Sequence, residues 1–324
     1  MKRRIALALG AAIFAAAAGT AGAQEFPNRP VKFVVGYSAG GPTDVIARIV
    51  AQDIQTSLGW SVIVENKPGA NGNIGTEFVA RSPADGYTLI VNTLSHNVNA
   101  ILQAGKVKYD PEKDFEPVTL AAALPQVLVT GPASSMNTMA DVVKAAKAQP
   151  GAISYGSAGI GGSAHLAAEL LEQRAGVKLN HVPFKGNAPA LTEVMAGRVD
   201  LIFYPMIGVA DRVNAKQLKA LAVTTRQRHP DYPGVPTMAE AGFPGFEDYV
   251  GPVGFLAPAG TPEPALTRLS AAIRASLAKP AVQEKLRALG AVVVASSPAE
   301  YRTWLRDDYA RWAKLIKDAD VKAE

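Results

Sequence analysis

Short β-branched runs alternate with alanine-rich amphipathic stretches from residue 31 to residue 223, and this alternation constrains the fold more than any other feature of the chain. Residues 31–35, 62–65 and 88–91 read as strands. Residues 43–58 read as a helix with Val45, Ile46, Ile49, Val50 and Ile54 on one side, and a shorter helix ends at Ala80. After a strand-like stretch at 118–129 the pattern resumes. Helices at 139–148, 164–175 and 189–196 are interleaved with strands at 153–155, 180–182, 200–203 and 218–223. Strands that alternate with helices predict parallel sheets joined by crossover helices.

The remainder breaks the alternation. A Pro/Gly-rich zone at 230–245 precedes a strand at 253–256, helices at 262–278, 281–289 and 298–317, and a short strand at 292–294. Too few strands remain for a separate sheet, so this tail is expected to pack back on the first α/β block. In the last helix, Trp304, Trp312 and Leu315 read as a core-facing stripe, with Arg306, Asp307, Asp308 and Arg311 on a solvated face. The expected architecture is α/β with two lobes: residues 24–121 with 250–324 form one, residues 122–249 the other. Two chain crossings, near 120–129 and 249–256, join them as a hinge.

The N-terminus reads as an export signal. Lys2, Arg3 and Arg4 precede an apolar stretch at 5–18, and Ala21-Gly22-Ala23 supplies small residues for cleavage before Gln24. The apolar stretch is too short for a comfortable membrane span. Residues 1–23 are therefore expected to be removed, leaving a periplasmic protein. Its 30 basic residues against 28 acidic ones hold no run of five or six like charges, so neither nucleic acid nor an anionic membrane is an expected partner. The chain has no cysteine, and His96, His165, His181 and His229 are scattered. Thiolate chemistry is excluded, and no metal or cofactor is expected.

Gly36-Tyr37-Ser38-Ala39-Gly40 is a literal G-x-S-x-G between a strand and a helix, the pattern of a hydrolase nucleophile. Its context argues against catalysis. Ser38 follows the first strand of the mature chain, so no earlier strand and loop can complete an oxyanion hole, and no acid stands in an evident strand-end loop ahead of His229. A secreted serine hydrolase through Ser38 stays as the alternative reading. The same loop, with Gly41, Pro42, Thr43 and Asp44, also suits a helix N-terminus that presents backbone N–H groups to an anion. Equally it suits an ordinary capped helix start.

A second strand–glycine–helix turn occurs at Ser157-Ala158-Gly159-Ile160-Gly161-Gly162-Ser163-Ala164-His165. It lacks the lysine of a phosphate loop and does not match G-x-G-x-x-G. Two such loops, one in each block, can grip the two ends of a small acid across a cleft. Thr93, Ser95 and His96 follow the strand at 88–91 and would line the same strand-end edge as Ser38. Phe184, Lys185 and Gly186 follow another strand, with Lys185 a candidate for a carboxylate, and Tyr204 could close the cleft.

In order along the chain, Tyr37-Ser38-Ala39-Gly40-Gly41-Pro42-Thr43-Asp44, Val64-Glu65-Asn66-Lys67-Pro68-Gly69-Ala70, Asp85-Gly86-Tyr87-Thr88-Leu89, Gly159-Ile160-Gly161-Gly162-Ser163-Ala164-His165-Leu166, His181-Val182-Pro183-Phe184-Lys185-Gly186 and Ala257-Pro258-Ala259-Gly260-Thr261-Pro262 resemble the periplasmic solute-binding proteins of tripartite tricarboxylate transporters, the TctC-like or Bug family. The resemblance covers the whole mature chain. It implies a Venus-flytrap fold of type II and a non-enzymatic role, the capture of a small carboxylate for a membrane permease or, in some cases, a sensor kinase. The ligands it implies are di- and tricarboxylates, acidic amino acids and aromatic acids. A monomer is expected; a periplasmic sensor or partner-binding role is the other alternative. Carried over, the clamp falls on 38–43, with 157–163 and 184–186 opposite. Ala39 replaces a proline common in the family, and Phe184 a tyrosine.

Overall fold

A computed structural model describes residues 26–206, 208–246, 251–318 and 321. The expected signal segment lies outside the described residues, and so does the start of the second crossing, 249–250. The first strands are β1 (Val31–Val35), β2 (Val62–Asn66) and β3 (Thr88–Asn92), with helices α1 (Pro42–Leu58), α2 (Asn73–Ala80) and α3 (Ser95–Leu102) after them in turn. The long strand β4 (Phe115–Leu124) and the shorter β5 (Gln126–Thr130) follow. Then come α4 (Met139–Ala148), β6 (Ser154–Ser157), α5 (Ser163–Ala175), β7 (Asn180–Pro183), α6 (Asn187–Met195), β8 (Leu201–Pro205), α7 (Ala210–Asn214) and β9 (Lys219–Val223). The tail holds β10 (Gly251–Pro258), α8 (Glu263–Ala278), α9 (Pro280–Ala288), β11 (Val292–Val293) and α10 (Pro298–Asp318).

Two sheets result. One runs β11-β4-β10-β3-β1-β2 and the other β7-β6-β8-β5-β9. The chain leaves the first sheet after Leu124, passes Pro125, and enters the second at Gln126; it is back in the first at Gly251. The expected parallel pairing holds for β1 with β2 and β3, and for β6 with β7 and β8. It fails elsewhere. β10 lies antiparallel between β3 and β4, and β5 lies antiparallel to both β8 and β9. The reason is that a crossing strand enters each sheet from the other lobe, without a crossover helix to reverse its direction. The sheets are mixed.

Local chemistry explains the elements that carry the site. α1 opens with Pro42 at its first position and ends on Gly59 in the left-handed region (φ 69°), where glycine is unstrained. Ile46, Val50 and Ile54 are fully buried against the first sheet, each adding roughly 2 kcal/mol by burial, while Val45 and Ile49 are only partly covered. α8 packs on α1 and β4, and α10 on α3 and β4, so the tail does cover the first sheet. Trp312 lies in the core, but Asp308 is buried too, which corrects the solvated face expected for it. Its carboxylate accepts from Asn97 Nδ2, Arg311 Nη2 and Trp312 Nε1. Residues 95–102, to which the alternating pattern assigns no element, form the helix α3. Its serine, histidine and asparagines are buried because other elements surround it.

Candidate functional site

Three helices of different lobes begin around one cavity. α1 starts after Gly41, α5 after Gly162 and α6 after Gly186, and none of the three has a side-chain cap. α4, by contrast, is closed by a capping box of Thr138 and Asp141, and Ser297 with Glu300 does the same for α10. A helix start without a cap leaves N–H groups free, and the macrodipole makes that end attractive to an anion. Between them lies a cavity of ≈ 40 Å³. The first lobe lines it with Tyr37, Gly41, Pro42, Thr43, Asn71, Thr93 and Leu94; the second with Ala158, Gly162, Ser163, Asn187 and Pro205; the crossings with Leu124, Gly251, Pro252 and Val253. No charged side chain is among them.

The polar groups at the wall fall into two sets. The Tyr37 hydroxyl is held by short hydrogen bonds with Ser95 Oγ (2.6 Å) and Thr93 Oγ1 (2.9 Å). Burial raises its pKa, outweighing those two bonds, so it stays a neutral hydroxyl. The second set is unengaged. The Thr43 and Ser163 hydroxyls make no hydrogen bond among the described residues, and Asn187 Oδ1 is buried without a partner. An unsatisfied buried acceptor costs about 1–3 kcal/mol, so this oxygen suits a donor arriving in the cavity.

The remaining candidates from the sequence lie outside the cavity wall. Asp44 is buried, and its carboxylate is taken by Arg48, Asn66 Nδ2 and the Gly40 N–H. Burial alone would raise its pKa, but those hydrogen bonds hold it below the ordinary value. It braces the loop. Ala39 and Gly40 are exposed, and Ser38 sits at the rim with its Oγ donating to Lys185 O across the cleft (3.1 Å). Lys185 points its side chain into solvent, Phe184 packs over Gly156, and a Cβ at Gly186 would lie 3.2 Å from Ser38 N. Ser157 is fully buried beneath the second loop, bonded to His181 Nε2 and accepting from Gly159 N–H.

Both histidines among the candidates, His96 and His165, face inward. His96 stacks on Tyr109 and bonds Pro111 O through Nε2, with its pKa lowered by burial to about 4. His165 Nδ1 accepts from Gly161 N–H (3.3 Å); burial, with help from the nearby His181 and Lys178, lowers its pKa to about 3. Tyr204 is buried in the second lobe's core, where desolvation pushes it up to about 12. Sequence reasoning passed over Asn71 and Asn187, although both stand in glycine-bearing turns. Nothing in a turn's composition tells which asparagine is buried. A larger cavity of ≈ 500 Å³ lies elsewhere, between α3, the 104–113 loop and α10. Among the described residues no cluster of acids and histidines is arranged to hold a metal, and no helix is long and apolar enough to cross a membrane.

Residues 46–321 match the model of the tripartite tricarboxylate transporter family receptor. The chain is 35% identical to protein BugT of Bordetella pertussis over 316 residues, 96% of each chain. Among solved structures, it is similar to Rpa4515 of Rhodopseudomonas palustris with adipate (TM-score 0.87, 35% identity, 91% of this chain and 99% of that one). It is likewise similar to MatC from Rhodopseudomonas palustris with bound malate (TM-score 0.85, 31% identity, 90% of this chain and 100% of that one).

Proposed function

Because the chain belongs to the tripartite tricarboxylate transporter receptor family, we propose that it captures a small carboxylate between its lobes and hands it to a membrane permease of the tripartite type. The observation that carries this reading is the convergence of three uncapped helix starts, from both lobes, on a cavity with no charged side chain. Such a site binds an anion through N–H groups and dipoles, and selects by shape and hydroxyl contacts rather than by an ion pair. A cavity of ≈ 40 Å³ matches about three waters or one carboxylate group, so the rest of a ligand extends toward the mouth or holds the lobes slightly apart.

The adipate and malate complexes of two relatives support a dicarboxylate. Asn187 Oδ1 adds a preference for an acid that also carries a hydroxyl or ammonium donor. In this reading the protein is exported by residues 1–23, acts as a monomer in the periplasm, and hinges at Pro125 and at the second crossing, near 249–256. The lobes are then residues 24–124 with 250–324, and residues 125–249. Native mass spectrometry of protein taken gently from the periplasm tests it: a released carboxylate that raises the melting temperature when added back is expected. No thermal shift with any member of a carboxylate library would overturn the reading.

A further inference from the structure

Besides Ser38, whose Oγ reaches Lys185 O at the rim, a buried side chain couples the lobes directly. Asn71 lies in the turn between β2 and α2, 5% exposed and in the left-handed region (φ 49°), which asparagine tolerates better than most residues. Its Nδ2 donates across the cleft to Ile160 O (2.8 Å) and, within its own lobe, to Asn99 Oδ1 (3.1 Å). Asn99 returns a bond to Asn71 O and donates to Asn73 Oδ1, which also accepts from Tyr109 OH. The side chain is thus fixed in the first lobe by a buried amide chain, before any contact with the second.

The second lobe receives it in a glycine socket. A Cβ at Gly159 (φ 118°) would lie 3.3 Å from Asn71 Cβ, and one at Gly162 would lie 3.2 Å from Asn71 Oδ1 and 3.0 Å from Gly159 O. These glycines therefore do more than admit a ligand: they let Asn71 approach the backbone.

We propose that Asn71 is a latch: a positioning residue that seats in the Gly159–Gly162 socket and holds the lobes shut over the bound acid. The inference rests on the binding function proposed above but concerns the closing equilibrium: Asn71 borders the cavity, yet its Nδ2 group is engaged by Ile160 O and Asn99 Oδ1. A latch multiplies the closed population by the same factor for every ligand, because apparent affinity scales with the fraction of closure-competent protein. A side chain that touched the ligand would instead alter the order of preference.

The test uses the full mature chain. With no native cysteine, Ser57→Cys and Lys147→Cys place one dye on an exposed position of each lobe, and single-molecule energy transfer reads the closed fraction. The key variant is Asn71→Gly, which keeps the left-handed turn and deletes the amide. It is expected to lower the closed fraction with and without ligand, and to weaken malate, succinate and adipate by one common factor of about ten, mainly through faster release. Gly162→Ala, whose backbone is extended and accepts a Cβ, is expected to do the same by filling the socket, and it serves if the first variant fails to fold. An unchanged closed fraction, or a loss confined to one ligand, overturns the latch. If the wild-type chain binds none of the three acids, the binding function fails for them, and the ligand-free closed fraction alone still decides on the latch.

Discussion

Arg48 donates through Nε (2.8 Å) and Nη2 (2.9 Å) to the two carboxylate oxygens of Asp44, one turn earlier on α1. The pair is lopsided: the Asp44 side chain is 2% exposed and that of Arg48 is 50%. Asp44 also anchors the Gly40 N–H and Asn66, so it ties the rim of the cleft to the end of β2. Asp44→Ala is therefore expected to cost about 2–3 kcal/mol in urea unfolding, through lost bonds to a charged, buried acceptor. Arg48→Ala should cost about 1 kcal/mol or less, since solvent screens its half of the pair. Equal losses would show that the salt bridge, not the loop anchor, is what matters.

Acid should destabilise the fold before the carboxylates begin to titrate. His96 and His165 have folded pKa values near 4 and 3, below the ordinary 6.5, so the unfolded chain binds protons that the folded chain refuses. Their stabilisation is complete above about pH 6.5 and is lost as pH falls toward 4, by about 1.4 kcal/mol per pH unit for each group. Urea titrations at pH 7.5, 6 and 5 measure the slope. The double variant His96→Phe with His165→Gln should flatten it.

Asn187 gives a test of ligand chemistry. If its unpartnered oxygen accepts from the ligand, malate should bind more tightly than succinate, and Asn187→Ala should erase most of that difference while leaving succinate nearly unchanged. Isothermal titration with the matched pair reads it, and an effect of about tenfold is expected from one buried hydrogen bond.

Tyr301 occupies the place a side chain at Gly254 would need: a Cβ there would collide with the tyrosine hydroxyl and ring. Tyr301 is fully buried and bonds Asn92 Oδ1, so it has nowhere to retreat. Gly254→Ala is expected to lose about 1–3 kcal/mol by overpacking, seen as a lower melting temperature without change in ligand preference.

Ser38 should stay unlabelled by a fluorophosphonate probe. Its hydroxyl donates to Lys185 O rather than to a histidine, so it has no base to activate it among the described residues. Covalent labelling that Ser38→Ala abolishes would revive the hydrolase reading.

Much of this molecule is written in local pattern. The helix Met139–Ala148 and the strand Val31–Val35 are legible to the residue, because apolar spacing within one element sets its period. The glycine turns ahead of α1 and α5 are legible too, since they need no distant partner. α3 is not: Ser95-His96-Asn97-Val98-Asn99 carries no apolar period that marks a helix, and it is buried where Leu305 and Asp308, over two hundred positions away, accept from Asn97. Likewise, only the assembled fold turns Asp44, His96 and His165 inward and brings Asn71 to Ile160 and Asn187 to the cavity. The sequence by itself determined the elements and the family; the tertiary structure decided strand direction and which polar groups face the cleft. The reason is physical: secondary structure follows from near neighbours, whereas the burial and pairing of a polar atom depend on whatever a remote segment lays against it.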